Sequence, residues 1–165
     1  SNNMKRVVIG QHGTGKTTFI VNEIIPEISG NYLIFDFCKE YSRFKIGENG
    51  TIIEFSLSGS KLKENIIDVI RNINDQDTII IDSAECLYFP EKVDTDPGFN
   101  WLLRELKNKR YIVTLQSYHN LEGIEQYFDE FDLFPTRYRD FPRVDFFEDL
   151  TLNKKRFKTH ASPGY

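Results

Sequence analysis

The chain has 165 residues, enough for one domain with a substantial core, and its 39% hydrophobic and 28% charged residues suit a folded globular protein. A formal net charge of −4 and a pI near 5.4 exclude a surface coated in basic charge for nucleic acid, though not a local basic patch. No apolar run reaches bilayer length, the N-terminus has no secretory pattern, and two cysteines make no disulfide framework, so the expectation is a reducing, cytoplasmic setting.

Ser1, Asn2 and Asn3 ahead of Met4 read as an expression scar, leaving 4–165 as a single domain. Val7, Val8 and Ile9 form a short apolar run ending at Gly10, as a buried parallel strand does. From Lys16 to Ile28, Phe19, Ile20, Ile24 and Ile25 recur at helical spacing, and Pro26 weakens the last turn. Tyr32 to Phe37 and Thr51 to Phe55 read as strands. Leu62, Ile66, Val69, Ile70 and Ile73 make a helical stripe with charges opposite. Thr78 to Asp82 is a strand without alternation, so both of its faces are expected to be covered. A helix from Phe99 to Asn108, a strand from Tyr111 to Gln116 and a shorter helix from Leu121 to Phe128 follow. In "FDLFPTRYR", Pro135 confines the segment to an edge or irregular strand. Strands alternating with helices predict an α/β fold, a three-layer α/β/α sandwich with a mainly parallel sheet.

The segment Gly10-Gln11-His12-Gly13-Thr14-Gly15-Lys16-Thr17 meets every required place of G-x-x-x-x-G-K-[ST]. Glycines at that spacing let successive backbone N–H groups turn inward around a phosphate, where side chains would collide. The helix starting at Lys16 aims its positive end at the same anion. Lys16 is placed to reach the β- and γ-phosphates of ATP, the Thr17 hydroxyl to ligate Mg²⁺, and Thr18 to hold the α-phosphate. His12 reads as a variable position of the loop. Asp82, closing an apolar strand, is the candidate to hold a magnesium-bound water; the competing reading is an N-cap for the next helix. Gln116, ending another core strand, is placed to orient an attacking water or to sense the γ-phosphate.

These marks, with Asp36-Phe37-Cys38-Lys39-Glu40-Tyr41 between them, resemble the HerA/FtsK group of ATP-driven nucleic-acid pumps, in the additional-strand P-loop class that includes RecA-like folds. The group commonly carries a D-x-x-x-E-Y pattern after the second strand and a glutamine ending a later core strand; the likeness runs from Arg6 to Tyr138. It implies a Mg-dependent ATPase, acting as a homo-oligomeric ring that translocates or packages DNA or another polymer, with the small size suiting a virus or mobile element. The group usually places a glutamate directly after the magnesium aspartate, and here that place is Ser83. Another carboxylate must then take the proton from water: Glu85, three positions past Asp82, or Glu40 beyond the neighbouring strand, with Glu85 preferred. Ring motors also insert an arginine from the next subunit to stabilise the transition state, for which Arg104 is the candidate and Arg110 the rival.

Two other functions stay open. One is a small-molecule or nucleoside kinase, against which no arginine-rich lid follows the Asp82 strand. The other is a nucleotide-gated binding module that hydrolyses little, kept alive by Ser83. Arg137, Arg139, Arg143, Lys154, Lys155, Arg156 and Lys158, interleaved with Tyr138, Phe141, Phe146, Phe147 and Phe157, suit nucleic-acid contact, a subunit interface, or a sheet edge with ordinary charges. Cys38 and Cys86 fall after strands expected to be close, and read as small packing residues or as a redox pair. Phe128, Phe131 and Phe134 read as core or interface, and Phe89 to Phe99 as a polar surface loop.

Overall fold

The computed structural model describes residues 4–73, 75–121, 123–135 and 144–160. Its strands are β1 (Lys5–Gly10), β2 (Asn31–Asp36), β3 (Gly50–Glu54), β4 (Gln76–Asp82), β5 (Arg110–Leu115), β6 (Glu130–Phe134) and β7 (Arg156–Thr159). They form one sheet in the order β3-β2-β4-β5-β1-β6-β7, and every neighbouring pair runs parallel. The strand β5 stands between β1, which carries the glycine-rich loop, and β4, which ends in Asp82.

The strands read as unbroken apolar runs because successive side chains enter two different cores. In β4, Ile79 and Ile81 join the larger core and Ile80 the smaller. The larger core lies under α2 (Leu62–Arg71), α3 (Asn100–Glu105) and α4 (Val144–Leu152). The smaller core lies under α1 (Lys16–Phe19) and its continuation. Helices therefore cover both faces, giving the three layers that the alternation of elements predicts. Phe128, Phe131 and Phe134 are all buried core residues.

Several local expectations change. The segment from Lys16 to Ile28 is helical almost throughout but alters its winding, to a π turn at Ile20–Ile24 and a 3-10 turn at Ile25–Glu27. The Ile25 amide reaches the Ile20 carbonyl, five residues back, so both isoleucines face the core. Pro26, with no amide to donate, sits in the tighter final turn. The helix expected from Leu121 to Phe128 is instead two 3-10 turns, Tyr118–Leu121 and Glu125–Tyr127. Gly123, at φ +83°, adopts a left-handed conformation that ends helices.

The segment read as an edge or irregular strand because of Pro135 is the interior strand β6, paired with β1 on one side and β7 on the other. Pro135 stands one residue past its end, where a missing amide costs the ladder nothing. Both α4 and β7 go unpredicted: the helix presents Val144 and Leu152 to solvent, and the strand is short and exposed at every position. Arg156 and Lys158 lie on that strand, as edge strands use charge to discourage further pairing. Arg137, Tyr138, Arg139, Phe141 and Arg143 lie outside the described residues.

Because Ile80 is fully buried in the smaller core, Ile80→Ala is expected to lower unfolding free energy by about 2–5 kcal/mol in urea titrations followed by circular dichroism. Leu57→Ala, at a half-exposed loop position, is expected to change it by less than about 0.5 kcal/mol.

Candidate functional site

The glycine-rich loop leaves β1 at Gly10, where the chain must fold back tightly. A Cβ there would stand 2.6 Å from the Thr14 hydroxyl oxygen and 2.8 Å from the Phe134 Cβ, so a side chain cannot enter without displacing the loop. Gly13 (φ +82°) and Gly15 (φ +100°) take left-handed conformations that L side chains resist. The Thr14 hydroxyl and amide both donate to the Gln11 carbonyl, at 2.7 and 3.3 Å, closing the turn on itself. Left-handed residues at these places turn neighbouring amides toward one concavity, which is the geometry of an anion nest.

The loop opens onto a cleft of about 600 Å³ over the carboxyl ends of the sheet. Its walls bring together Lys16, Thr17, Glu40, Asp82, Glu85 and Gln116, contributed by four separate stretches of sequence. Lys16 Nζ donates to the Leu115 carbonyl at 3.3 Å, so β5 holds the ammonium in place. Burial lowers the Lys16 pKa, and the charges of Glu85, Asp82 and Glu40 oppose that shift.

The D-x-x-x-E-Y pattern has a local structural reason. Asp36, fully buried at the end of β2, accepts the Glu40 amide at 3.1 Å and the Tyr41 amide at 3.0 Å. One carboxylate thus folds the loop and aims both following side chains inward. Glu40 Oε2 accepts the Thr17 hydroxyl at 2.8 Å, and the Tyr41 hydroxyl reaches Asp82 Oδ1 at 3.4 Å. Burial raises the Tyr41 pKa, with Asp82 reinforcing it, so the phenol stays a donor.

Asp82 is 3% exposed and lies beside Asp36 in the β2–β4 register. Its Oδ1 accepts hydroxyl hydrogen bonds from Tyr41 and, at 3.1 Å, from Thr114. Its Oδ2 is buried with no hydrogen-bond partner among the described residues. Burial pushes this carboxyl up to about 6; the Thr114 hydroxyl opposes the shift and Glu40 adds to it. The N-cap reading fails, because Asp82 ends a strand and the following turn has no side-chain cap.

Ser83, in the place where the resemblance expects glutamate, adopts φ +61° and donates its amide to the Thr114 hydroxyl oxygen at 2.6 Å. The next residues form a 3-10 turn, Ala84–Leu87, that carries Glu85 into the cleft. Glu85 Oε2 is also buried without a hydrogen-bond partner, and burial raises its pKa while its own amide and Lys16 oppose this. Of the carboxylates around the lysine, the two glutamates thus differ: Glu40 is engaged by Thr17, and Glu85 has an open oxygen.

Among the described residues no three His, Cys, Asp or Glu side chains are grouped to cage a metal by themselves. Magnesium does not require such a cage: it keeps waters and takes phosphate oxygens beside one or two protein groups. The Thr17 hydroxyl and the orphaned Asp82 Oδ2 fit that donor set.

The other sequence candidates divide between the rim of this cleft and the rest of the surface. Gln116, exposed at the end of β5, stands between the main cleft and a second hollow of about 220 Å³. His12 is largely exposed, with Nδ1 3.6 Å from Glu40 Oε1. Arg104 on α3 pairs with Asp96, and Arg110 at the opposite end of β5 pairs with Asp77 at 3.2 Å; neither lines the cleft of its own chain. Cys38 and Cys86 are not buried packing residues: both line the cleft, and Cys38 is exposed. In the C-terminal stretch, Lys155 lies 3.7 Å from Asp129 and Arg156 3.5 Å from Glu130, leaving Lys154 and Lys158 as its further exposed cations among the described residues. The segment from Phe89 to Phe99 is drawn together by paired Phe89 and Gly98 backbones and held by Lys63 at 3.2 Å from Asp94. Sequence reasoning overlooked Thr114 and Arg43. Thr114, a polar residue inside the apolar run YIVTL, was a usable signal; Arg43, in a surface turn lining the cleft, offered none.

No family model matches the chain, and a comparison with curated proteins found no match. Solved structures do resemble it. B204, the DNA-packaging ATPase from Sulfolobus turreted icosahedral virus, superposes with a TM-score of 0.64 at 16% identity, over 92% of this chain and 83% of that one. The genome-packaging NTPase B204 from Sulfolobus turreted icosahedral virus 2 does so in complex with AMP (TM-score 0.61, 15% identity) and with AMPPCP (0.60, 16%), over 92% of this chain and 82% of each. Likeness at this identity speaks to architecture: the chain has the α/β P-loop NTPase fold, with an additional strand between its glycine-rich loop and its acidic strand end.

Proposed function

We propose that the chain binds and hydrolyses ATP with Mg²⁺, and that it works as the ATPase of a DNA-packaging or translocating motor. The observation carrying the first part is convergence on one cleft: a glycine anion nest, a lysine held among carboxylates, and a buried Asp82 oxygen without a partner. The extension to packaging is supported by the resemblance of the sequence motifs and by the structural neighbours, which are viral genome-packaging NTPases.

In this reading the loop amides and Lys16 bind the β- and γ-phosphates, drawing on dipoles already aimed before nucleotide arrives. Thr17 and Asp82 would hold the magnesium, which would supply neutralisation of the phosphate charge. Gln116 orients the attacking water. Glu85 accepts its proton: the oxygen is open, the side chain borders the lysine, and burial makes it more basic than an exposed glutamate. Glu40 serves instead to orient the Thr17 hydroxyl, which donates to its Oε2. A trans-acting arginine, from Arg104 or Arg110, would complete the site on assembly into a homo-oligomeric ring. A second reading, a nucleotide-gated module with slow turnover, draws on the serine at position 83.

Measuring ATP turnover with and without duplex DNA, alongside oligomer size by light scattering, tests the motor. Stimulation by DNA with a nucleotide-dependent ring is the expected outcome; tight binding without turnover selects the gated module, and phosphate passed to a small acceptor selects a kinase. Lys16→Ala is expected to weaken ATP binding in calorimetry by about two orders of magnitude, since the phosphates lose a buried cationic partner. Glu85→Gln should lower turnover by about a hundredfold or more with little change in affinity, whereas equal rates in mutant and parent reject Glu85 as the base. Because Asp82 gains a proton as pH falls through about 6, MgATP affinity is expected to drop across that range. Affinity for ATP in EDTA should change less, and Asp82→Ala should remove the difference.

A further inference from the structure

The two cysteines are unabsorbed by the reading above, and they are not scattered. Cys38 follows β2 and Cys86 follows β4; these strands are parallel neighbours, with Asp36 opposite Asp82 in the register. Parallel neighbours lie about 4.8 Å apart, so the loops leaving their ends rise side by side. Ser83 touches both cysteines: the Cys38 thiol is 3.6 Å from the Ser83 hydroxyl, and the Cys86 amide donates to the Ser83 carbonyl at 3.0 Å. Burial, with Cys38 and Glu85 nearby, pushes the Cys86 thiol up to about 11. Both line the cleft. Among the described residues three non-glycine residues have positive φ, and two of them, Lys39 (φ +55°) and Ser83 (φ +61°), adjoin this pair. Backbone strain stored on both sides of a contact marks it as a place where the chain is held away from its local preference.

We propose that Cys38 and Cys86 are a thiol–disulfide exchange site, which closes a reversible bond across the mouth of the nucleotide cleft and excludes nucleotide. The co-reactant is a small-molecule disulfide of the glutathione class. The exposed Cys38 thiolate attacks one of its sulfurs, and a glutathione thiolate leaves as the mixed disulfide forms. The Cys86 thiol, losing its proton to solvent, then attacks the Cys38 sulfur and expels the second glutathione thiolate. The protein gives up two hydrogens and two electrons, and one glutathione disulfide becomes two thiols. Cys86 is a resolving thiol rather than the first nucleophile, since its high pKa keeps it protonated. The bond ties the loop bearing Glu40, two residues past Cys38, to the turn bearing Glu85, the residue before Cys86. Its effect on nucleotide rests on the reading of the cleft proposed above; its formation does not.

The test is to incubate the native protein with oxidised glutathione, trap free thiols with iodoacetamide, and record intact mass beside ATP affinity. The expected product has lost two hydrogens, carries no alkyl or glutathione adduct, binds ATP at least about tenfold more weakly, and recovers on adding dithiothreitol. Cys38→Ser should form no disulfide and keep its ATP affinity through the same treatment, and Cys86→Ser should stop at a glutathione adduct on Cys38 with no internal disulfide; either variant suffices if the other fails to fold. In the native protein, two alkylated cysteines, a persistent glutathione adduct, or an internal disulfide with unchanged affinity would each overturn the proposal. If the reduced protein binds no ATP, the proposed function fails, and with it the exclusion of nucleotide, while the mass still decides whether the bond forms.

Discussion

A carboxylate oxygen buried without a hydrogen-bond partner is costly, and the rest of the site is arranged around one. Asp82 Oδ2 has none among the described residues, while Oδ1 is held by two hydroxyls from different strands and loops. Burial alone would favour the neutral acid, and it moves the group toward that state. The charged form is therefore compensated only in part, by the hydroxyls on Oδ1 and by Lys16. A cation in the cleft would complete it, which is the physical link between the fold and the proposed magnesium binding.

The sheet order is what makes that arrangement possible. The strand β5 intervenes between β1 and β4, so a residue of β5 can lie beside each of their ends. Thr114 uses this position to bond Asp82 and Ser83, and Leu115 uses it to bond Lys16. On the other side, β2 brings Asp36, which folds the loop carrying Glu40 and Tyr41 against the same cleft. A crevice at the carboxyl ends of parallel strands is where such folds gather ligand-binding groups, because loops from several strands converge there.

Serine at position 83 shows how an unusual residue can be accommodated. Its amide caps Thr114 and its left-handed backbone turns the chain, so the acidic side chain in this segment is presented two residues later, on the 3-10 turn. Glu85 and Glu40 then differ in state rather than in reach: one oxygen of Glu40 is engaged by Thr17, and one oxygen of Glu85 is open. The electrostatic consequence is a lysine bordered by three carboxylates, which offsets the cost of burying its charge.

Much of this was legible in the residues alone. The phosphate loop, the apolar strand closed by Asp82, and the strand ending before Gln116 depend on local pattern and spacing, and their elements stand where the periodicity puts them. Pro135 misled, because a proline rules out a paired interior position only for itself, and β6 ends one residue earlier. The winding change after Phe19 and the short edge strand β7 were hidden, since neither has a periodicity of its own. By itself the sequence determined where the glycine-rich loop would leave its strand and that the chain would alternate strand and helix, because these follow from backbone conformation and side-chain period. Tertiary structure alone decided that Thr114 and Tyr41 share one oxygen of Asp82, that Glu85 keeps an open oxygen, and that the Cys38 thiol reaches Ser83. Those contacts join residues tens of positions apart, and only the lateral order of the strands brings them within bonding distance.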